Sequence, residues 1–243
     1  MDTKLLIVDG EYVHKYKLDK VMTHSDFKEH ITVDNVNMSL IVPHGTLSIH
    51  YTKTSNSEMI EYIVLKDKYE GRFTFSSSDG RENTTIINEE YTYPQILFHI
   101  KYNLKTNRVG NSYVYMPDPR MSIGSMVAGQ RIPLHALPLP NIYEDNRVCI
   151  GNSNDRVLND PTTFIDSFYT TTFNADLMDY LPRRLNQTQQ NQYHDLRNLE
   201  VRIRFILAQL SGAPNIIFPQ THWLKMPRQQ INTGEEWNVI ERI

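Results

Sequence analysis

Cysteine occurs once in the 243 residues, at Cys149. One thiol excludes an intrachain disulfide framework and a thiolate metal cluster built by a single chain. A free thiol also fits a reducing compartment better than a secreted setting. Long apolar runs are missing too. The stretch Leu5–Val8 near the start is strand-sized, too short for the apolar core of a signal peptide, and nothing approaches the roughly 18 residues of a membrane span. A soluble, cytoplasmic protein is the expectation. An excess of charge of either sign is missing as well, with 25 Lys and Arg against 28 Asp and Glu. A net charge of −3 gives no electrostatic case for nucleic acid or an anionic membrane as partner. No fixed-period repeat, low-complexity tract, phosphate loop or metal-ligand spacing of histidines is visible; Ile123-Gly124-Ser125-Met126 lacks the P-loop lysine. No cofactor is expected.

What is present reads as strands first and helices after, which favours an α+β fold with an antiparallel, β-rich N-terminal part. Lys4–Val8, Asp9-Gly10 as a hairpin turn and Glu11–Leu18 open the chain. Ile31–Val42, a break at Pro43-His44-Gly45, Thr46–Thr52, Glu58–Leu65, Arg72–Phe75 and Thr84–Ile87 continue it, with Ser77-Ser78-Asp79-Gly80 as a turn. The alternation predicts a meander with one face buried and one wet, His44 and His50 facing solvent. A second block opens at Tyr91. In Gln95–Tyr102, Ile96, Phe98 and Ile100 lie opposite Leu97, His99 and Lys101. Five prolines between Met116 and Pro140 forbid a long helix and predict an extended path over a surface.

Helix signals come late. Asp160-Pro161 is a cap followed by proline at the first helical position, with Phe164, Ile165, Phe168 and Tyr169 at helical spacing to about Thr172. Gln189–Leu210 carries an apolar stripe of Tyr193, Leu196, Leu199, Ile203, Ile206, Leu207 and Leu210 and predicts one long helix, ended by Gly212 and Pro214. The last 30 residues show no clear period. The expected divisions are a β-rich region over residues 1–90, a core over 91–212 and a tail over 213–243 that packs on the domain or on a partner.

The lone cysteine ends a distinctive stretch, Leu137-Pro138-Leu139-Pro140-Asn141-Ile142-Tyr143-Glu144-Asp145-Asn146-Arg147-Val148-Cys149-Ile150-Gly151. Prolines stiffen its entry, an asparagine follows, and Glu144-Asp145-Asn146 has turn composition. Read from residue types alone, Cys149 is either a small buried residue or a nucleophile needing a positive neighbour, for which Arg147 is a candidate. A hydrolase dyad of Cys149 with His135 or His99 is a further candidate.

Pro140-Asn141, a turn and Val148-Cys149-Ile150 resemble the active-site segment of ubiquitin-conjugating enzymes, where a His-Pro-Asn tripeptide places its asparagine eight positions before the catalytic cysteine; Asn141 lies eight before Cys149. The bacterial branch exemplified by protein B of plasmid-borne PRTRC systems, a mobile-element family, is closer. It has a Val-Tyr-x-x-Gly turn and Arg-Val-Cys-Leu-Gly, to which Ile142-Tyr143-Glu144-Asp145-Asn146-Arg147-Val148-Cys149-Ile150-Gly151 is similar. Tyr93–Phe98 and Phe164–Phe168 resemble flanking segments of that branch, and the likeness covers about residues 91–180. Leu139 stands where the family has histidine and Asn146 where it has glycine.

The resemblance implies a ubiquitin-conjugating-like β-meander followed by helices. It implies that Cys149 carries a small modifier as a thioester received from an activating enzyme, which spends the ATP. Asn141 would order the loop and stabilise the oxyanion. Pro140, Tyr143, Asn146 and Arg147 would support the loop. The family's downstream acidic residue, which helps receive the substrate amine, has no clear counterpart; Asp155 and Asp160 are candidates by proximity only. Other proteins would dock through the N-terminal β region or the tail. The competing expectation is a non-catalytic interaction or structural protein, such as a virion or assembly component, without thiol chemistry.

Overall fold

The computed structural model describes residues 4–9, 12–15, 21–23, 32–33, 36–37, 42–53, 56–78, 83–118, 131–149, 160–211, 220–225 and 239–242. The first half is β1 (Lys4–Asp9), β2 (Tyr12–Lys15), β3 (Val21–Thr23), β4 (Thr32–Val33), β5 (Val36–Asn37), β6 (Thr46–Lys53), β7 (Glu58–Lys66), β8 (Tyr69–Ser78) and β9 (Asn83–Tyr93). Then come β10 (Ile96–Asn103), β11 (Arg108–Val109), β12 (Tyr113–Pro117), β13 (Arg131–His135), α1 (Pro161–Thr170), β14 (Thr172–Phe173), α2 (Gln187–Asp195), α3 (Leu199–Ser211), β15 (Gln220–Lys225) and β16 (Val239–Arg242). The fold is mixed α+β with antiparallel sheets.

One large sheet runs in the order β16-β15-β13-β12-β10-β7-β6-β1-β2-β3, with β11 on β10. The hairpin β8–β9 forms a second sheet, with β14 added parallel to β8. Between these layers lies the main core. Tyr62, Val64, Phe98, Ile100 and Val114 come from the large sheet; Phe73, Phe75, Ile87, Tyr91 and Tyr93 from the hairpin; Phe164, Ile165, Phe168 and Tyr169 from α1. The rings meet mostly edge-on, Phe98 against Phe168 at 5.4 Å and Tyr93 against Tyr169 at 5.1 Å, the arrangement their quadrupoles favour. Each fully buried phenylalanine stabilises the fold by roughly 1.5–3 kcal/mol relative to exposure.

The expected alternation is present, but the second face is not wet at the centre of the sheet. Ile63, Leu97, Tyr115, Ile132 and Leu134 form a second buried cluster there. Strands buried on both faces read as near-continuous apolar runs, which is how Ile60–Leu65 and Ile96–Ile100 are composed. His44 is exposed as expected; His50 is half-buried, and burial lowers its pKa. The break before β6 is built on Gly45 at φ +85°, where a Cβ would lie 2.2 Å from the Leu65 carbonyl oxygen.

Several boundaries move. Asp9 pairs with Tyr12, one residue beyond the expected turn, and Ser77 and Ser78 extend β8 rather than turning. The division expected at residue 90 falls inside β9, and β7 pairs with β10 across it along eight residues. Part of the expected tail adds β15 to β13 and β16 to β15.

Of the proline-rich path, residues 119–130 lie outside the described residues; its later part is extended but not superficial, Leu134 to Ile142 being buried throughout. Pro138 and Pro140 carry no N–H, so the chain passes through the interior with fewer donors to satisfy.

The expected helix 189–210 is two helices. Asn186 and Gln189 form a reciprocal cap that starts α2 at Gln187. Asn198 then caps α3, its Oδ1 accepting from Glu200 N at 2.8 Å, and Arg202 Nε donates to the freed Leu196 carbonyl at 2.7 Å. The anticipated Glu200–Arg204 pair is present at 2.9 Å. No described helix is long and apolar enough to cross a membrane.

Candidate active site around Cys149

The segment that ends in Cys149 leaves β13 through the buried run Ala136–Pro140. Asn141 follows at φ +59°, in the left-handed region that asparagine tolerates better than other side-chain-bearing residues. Its carboxamide ties this bend to the segment after α1. Oδ1 accepts from Asn174 N at 3.1 Å, and Nδ2 reaches the Thr172 carbonyl at 3.5 Å. Ile142 and Val148 then pair as an antiparallel bridge.

Between them Asn146 N donates to Tyr143 O at 2.9 Å and Tyr143 N to Arg147 O at 2.8 Å. Asn146 sits at φ +68°, a left-handed turn position that asparagine tolerates. This is a three-residue hairpin loop, Glu144 to Asn146, whose last position is left-handed, the next most common hairpin connection after two-residue turns. The hairpin docks on β12, through Val148 N to Ser112 O and Val114 N to Asn146 O. Cys149 N donates to Asn141 O at 2.7 Å, closing the eight-residue step into one unit.

A residue that sequence reasoning did not single out holds this unit from below. Arg184 is 2 % exposed. Its guanidinium donates to the main-chain carbonyls of Leu139, at 3.2 Å, and of Ile142 and Tyr143. Burial pushes its pKa down to about 10, with Asp145 and Glu144 pulling the other way, so it is a cation at neutral pH. Its neighbour Arg183 is exposed and pairs with Glu144 at 2.7 Å. Nothing in Pro182-Arg183-Arg184 distinguishes the two.

Cys149 is half-buried. It lies at a cleft of about 260 Å³, counted with its open mouth, walled by Val148 on one side and by Phe164, Phe168 and Phe173 on the other. Asn141 also lines it. The Tyr143 hydroxyl donates to Cys149 Sγ at 3.7 Å, and the Arg147 guanidinium carbon lies 4.3 Å over the Tyr143 ring.

The structure therefore brings together Asn141, Tyr143, Arg147 and Cys149, with Pro140 and Asn146 shaping the backbone. Asp155 lies outside the described residues. Asp160 is committed to capping α1, both carboxylate oxygens being engaged by Thr163. The histidines considered for a dyad have other neighbours and do not line the cleft. His99 meets Glu61 at 2.7 Å, and His135 lies 3.8 Å from Asp118. Among the described residues no cluster of three His, Cys, Asp or Glu is placed to hold a metal.

Compared with family models, curated proteins and solved structures, the chain matches none.

Proposed function

We propose that this protein is a ubiquitin-conjugating-like carrier that holds a small modifier as a thioester on Cys149, on a ubiquitin-conjugating-like core within its α+β fold, in the cytoplasm. The observation that supports it most is the bond from Cys149 N to Asn141 O. It folds the eight-residue step into a closed loop with a half-exposed thiol at the mouth of an apolar cleft.

In the loading step the Cys149 thiolate attacks the carbonyl carbon of the modifier's C-terminal thioester on its activating enzyme. A carbon–sulfur bond to Cys149 forms, the bond to the enzyme's sulfur breaks, and that sulfur leaves as thiolate; the Cys149 proton goes to solvent. Asn141 acts here first as a positioning residue, because both atoms of its carboxamide engage main chain. Its Nδ2 contact is long, which leaves that group a proton for a developing oxyanion.

The same two carboxamide bonds favour the second reading, an interaction or structural protein that keeps the scaffold without thiol chemistry. One experiment separates them: intact-mass analysis of the protein and its Cys149→Ser variant, each isolated from cells of its own source. The transfer reading expects an added mass on wild type that thiol reductant removes. On the serine variant it expects an adduct that resists reductant and yields to mild alkali. Unmodified protein in both samples overturns it.

A further inference from the structure

Tyr143 is held from several directions. Its N–H donates to Arg147 O, its carbonyl accepts from Asn146 N and from Arg184, and its ring lies under the Arg147 guanidinium. What this fixing achieves is a single placement of the phenol oxygen, 3.7 Å from Cys149 Sγ. Sulfur is a large, soft acceptor, and an O–H donor to it gains most when the sulfur is ionised.

We infer that Tyr143 is a positioning residue for Cys149, its hydroxyl donating to the sulfur and stabilising it as thiolate. The role in turnover rests on the carrier reading above; the contact itself does not. When an amine attacks a thioester on Cys149, a carbon–nitrogen bond to the acyl carbon forms, the carbon–sulfur bond breaks with its electron pair staying on Sγ, and the amine's proton goes to solvent. The Tyr143 hydroxyl steadies that leaving thiolate by donation and keeps its own proton.

The surroundings suit the task. Interaction with the Cys149 sulfur raises the Tyr143 pKa above the ordinary phenol value, while Arg147 works against the rise, so Tyr143 remains a donor through the neutral range. Among the described residues, the charged and titratable groups around it are Arg147, with Asp145 3.9 Å from its Nε, Arg184, which donates to the Tyr143 carbonyl, and Tyr180, whose ring lies 6.5 Å away under Arg183. Arg183 is itself paired with Glu144. From the cleft wall α1 presents Phe164, Ser167 and Phe168, none titratable near neutrality.

Because the chain has one cysteine, alkylation of the full protein by iodoacetamide reports on Cys149 alone. Rates are measured from pH 6 to 10 for wild type and Tyr143→Phe, with circular dichroism confirming the fold. Phenylalanine keeps the ring and its stack with Arg147 and removes only the hydroxyl. The expected result is a Tyr143→Phe profile displaced by about 0.5–1 pH unit to higher pH, with alkylation at pH 7 slowed about three- to tenfold and the plateau little changed. Coincident profiles, a displacement to lower pH, or a changed plateau with an unmoved midpoint each overturn the inference. A displaced profile in a protein that never carries an adduct keeps this inference and removes the carrier reading.

Discussion

Arg184 is the residue whose loss should tell most about the loop. Methionine at this position keeps much of the volume but removes donors from the carbonyls of Leu139, Ile142 and Tyr143. Leaving buried carbonyls unsatisfied costs about 1–3 kcal/mol each, and Tyr143 O keeps a second donor in Asn146 N, so with two carbonyls affected Arg184→Met should destabilise by about 2–6 kcal/mol. Lysine retains the charge but not the planar fork that reaches several carbonyls, so Arg184→Lys should recover less than half of the loss. Urea unfolding midpoints with unchanged m-values check both.

Glu61 makes a pH-dependent contribution on the same scale. His99, first by hydrogen bond, holds its carboxyl below the ordinary value of 4.5. A depressed carboxylate stabilises the fold above its unfolded value, and that stability disappears as pH falls through the folded one. Glu61→Gln should therefore be less stable than wild type at pH 6, by about 1 kcal/mol given its partial exposure. The gap should close as pH drops below 4.5. A constant gap in urea midpoints from pH 6 to pH 3 would contradict this.

At the scale of elements, α1 was legible because two independent signals coincide, a capping aspartate followed by proline and an apolar stripe in helical phase. The separation of α2 from α3 was not, because Tyr193, Leu199, Ile203 and Ile206 keep helical spacing across the break. Only Asn198, as a cap, marks it. Asn198→Ala should cost about 1 kcal/mol, the usual value of an N-cap side chain, and lower the thermal midpoint accordingly. The loop from Asn141 to Cys149 was legible in its turn and its left-handed Asn146. What could not be read was its anchorage. Thr172, Asn174 and Arg184 lie more than 30 residues along the chain, and their contacts are to backbone carbonyls and amides that carry no sequence signature. The same holds for the depth of Leu137–Pro140. Proline spacing predicts an extended path, but whether such a path lies inside or outside is decided by the layers around it.

For the whole molecule, the division of the chain at residue 90 can be weighed against how the layers are built. Residues on both sides of that point form the pairs between β7 and β10, from Ile96 with Lys66 to Asn103 with Met59. Tyr62, Phe73, Phe75 and Ile87 from one side pack in the same core as Phe98, Phe164, Phe168 and Ile203 from the other. A fragment beginning at residue 91 would start inside β9, lose β8 entirely and expose one face of α1. The apolar burial lost spans the whole interface between two layers, far more than the marginal net stability of a domain can absorb. Residues 91–243 expressed alone should therefore lack the near-ultraviolet circular dichroism of packed aromatic rings. The full chain should unfold in one transition, with calorimetric and van't Hoff enthalpies that agree. Two separated transitions, or a fragment with native aromatic dichroism, would show that the first 90 residues are a detachable unit rather than half of the core that positions Cys149.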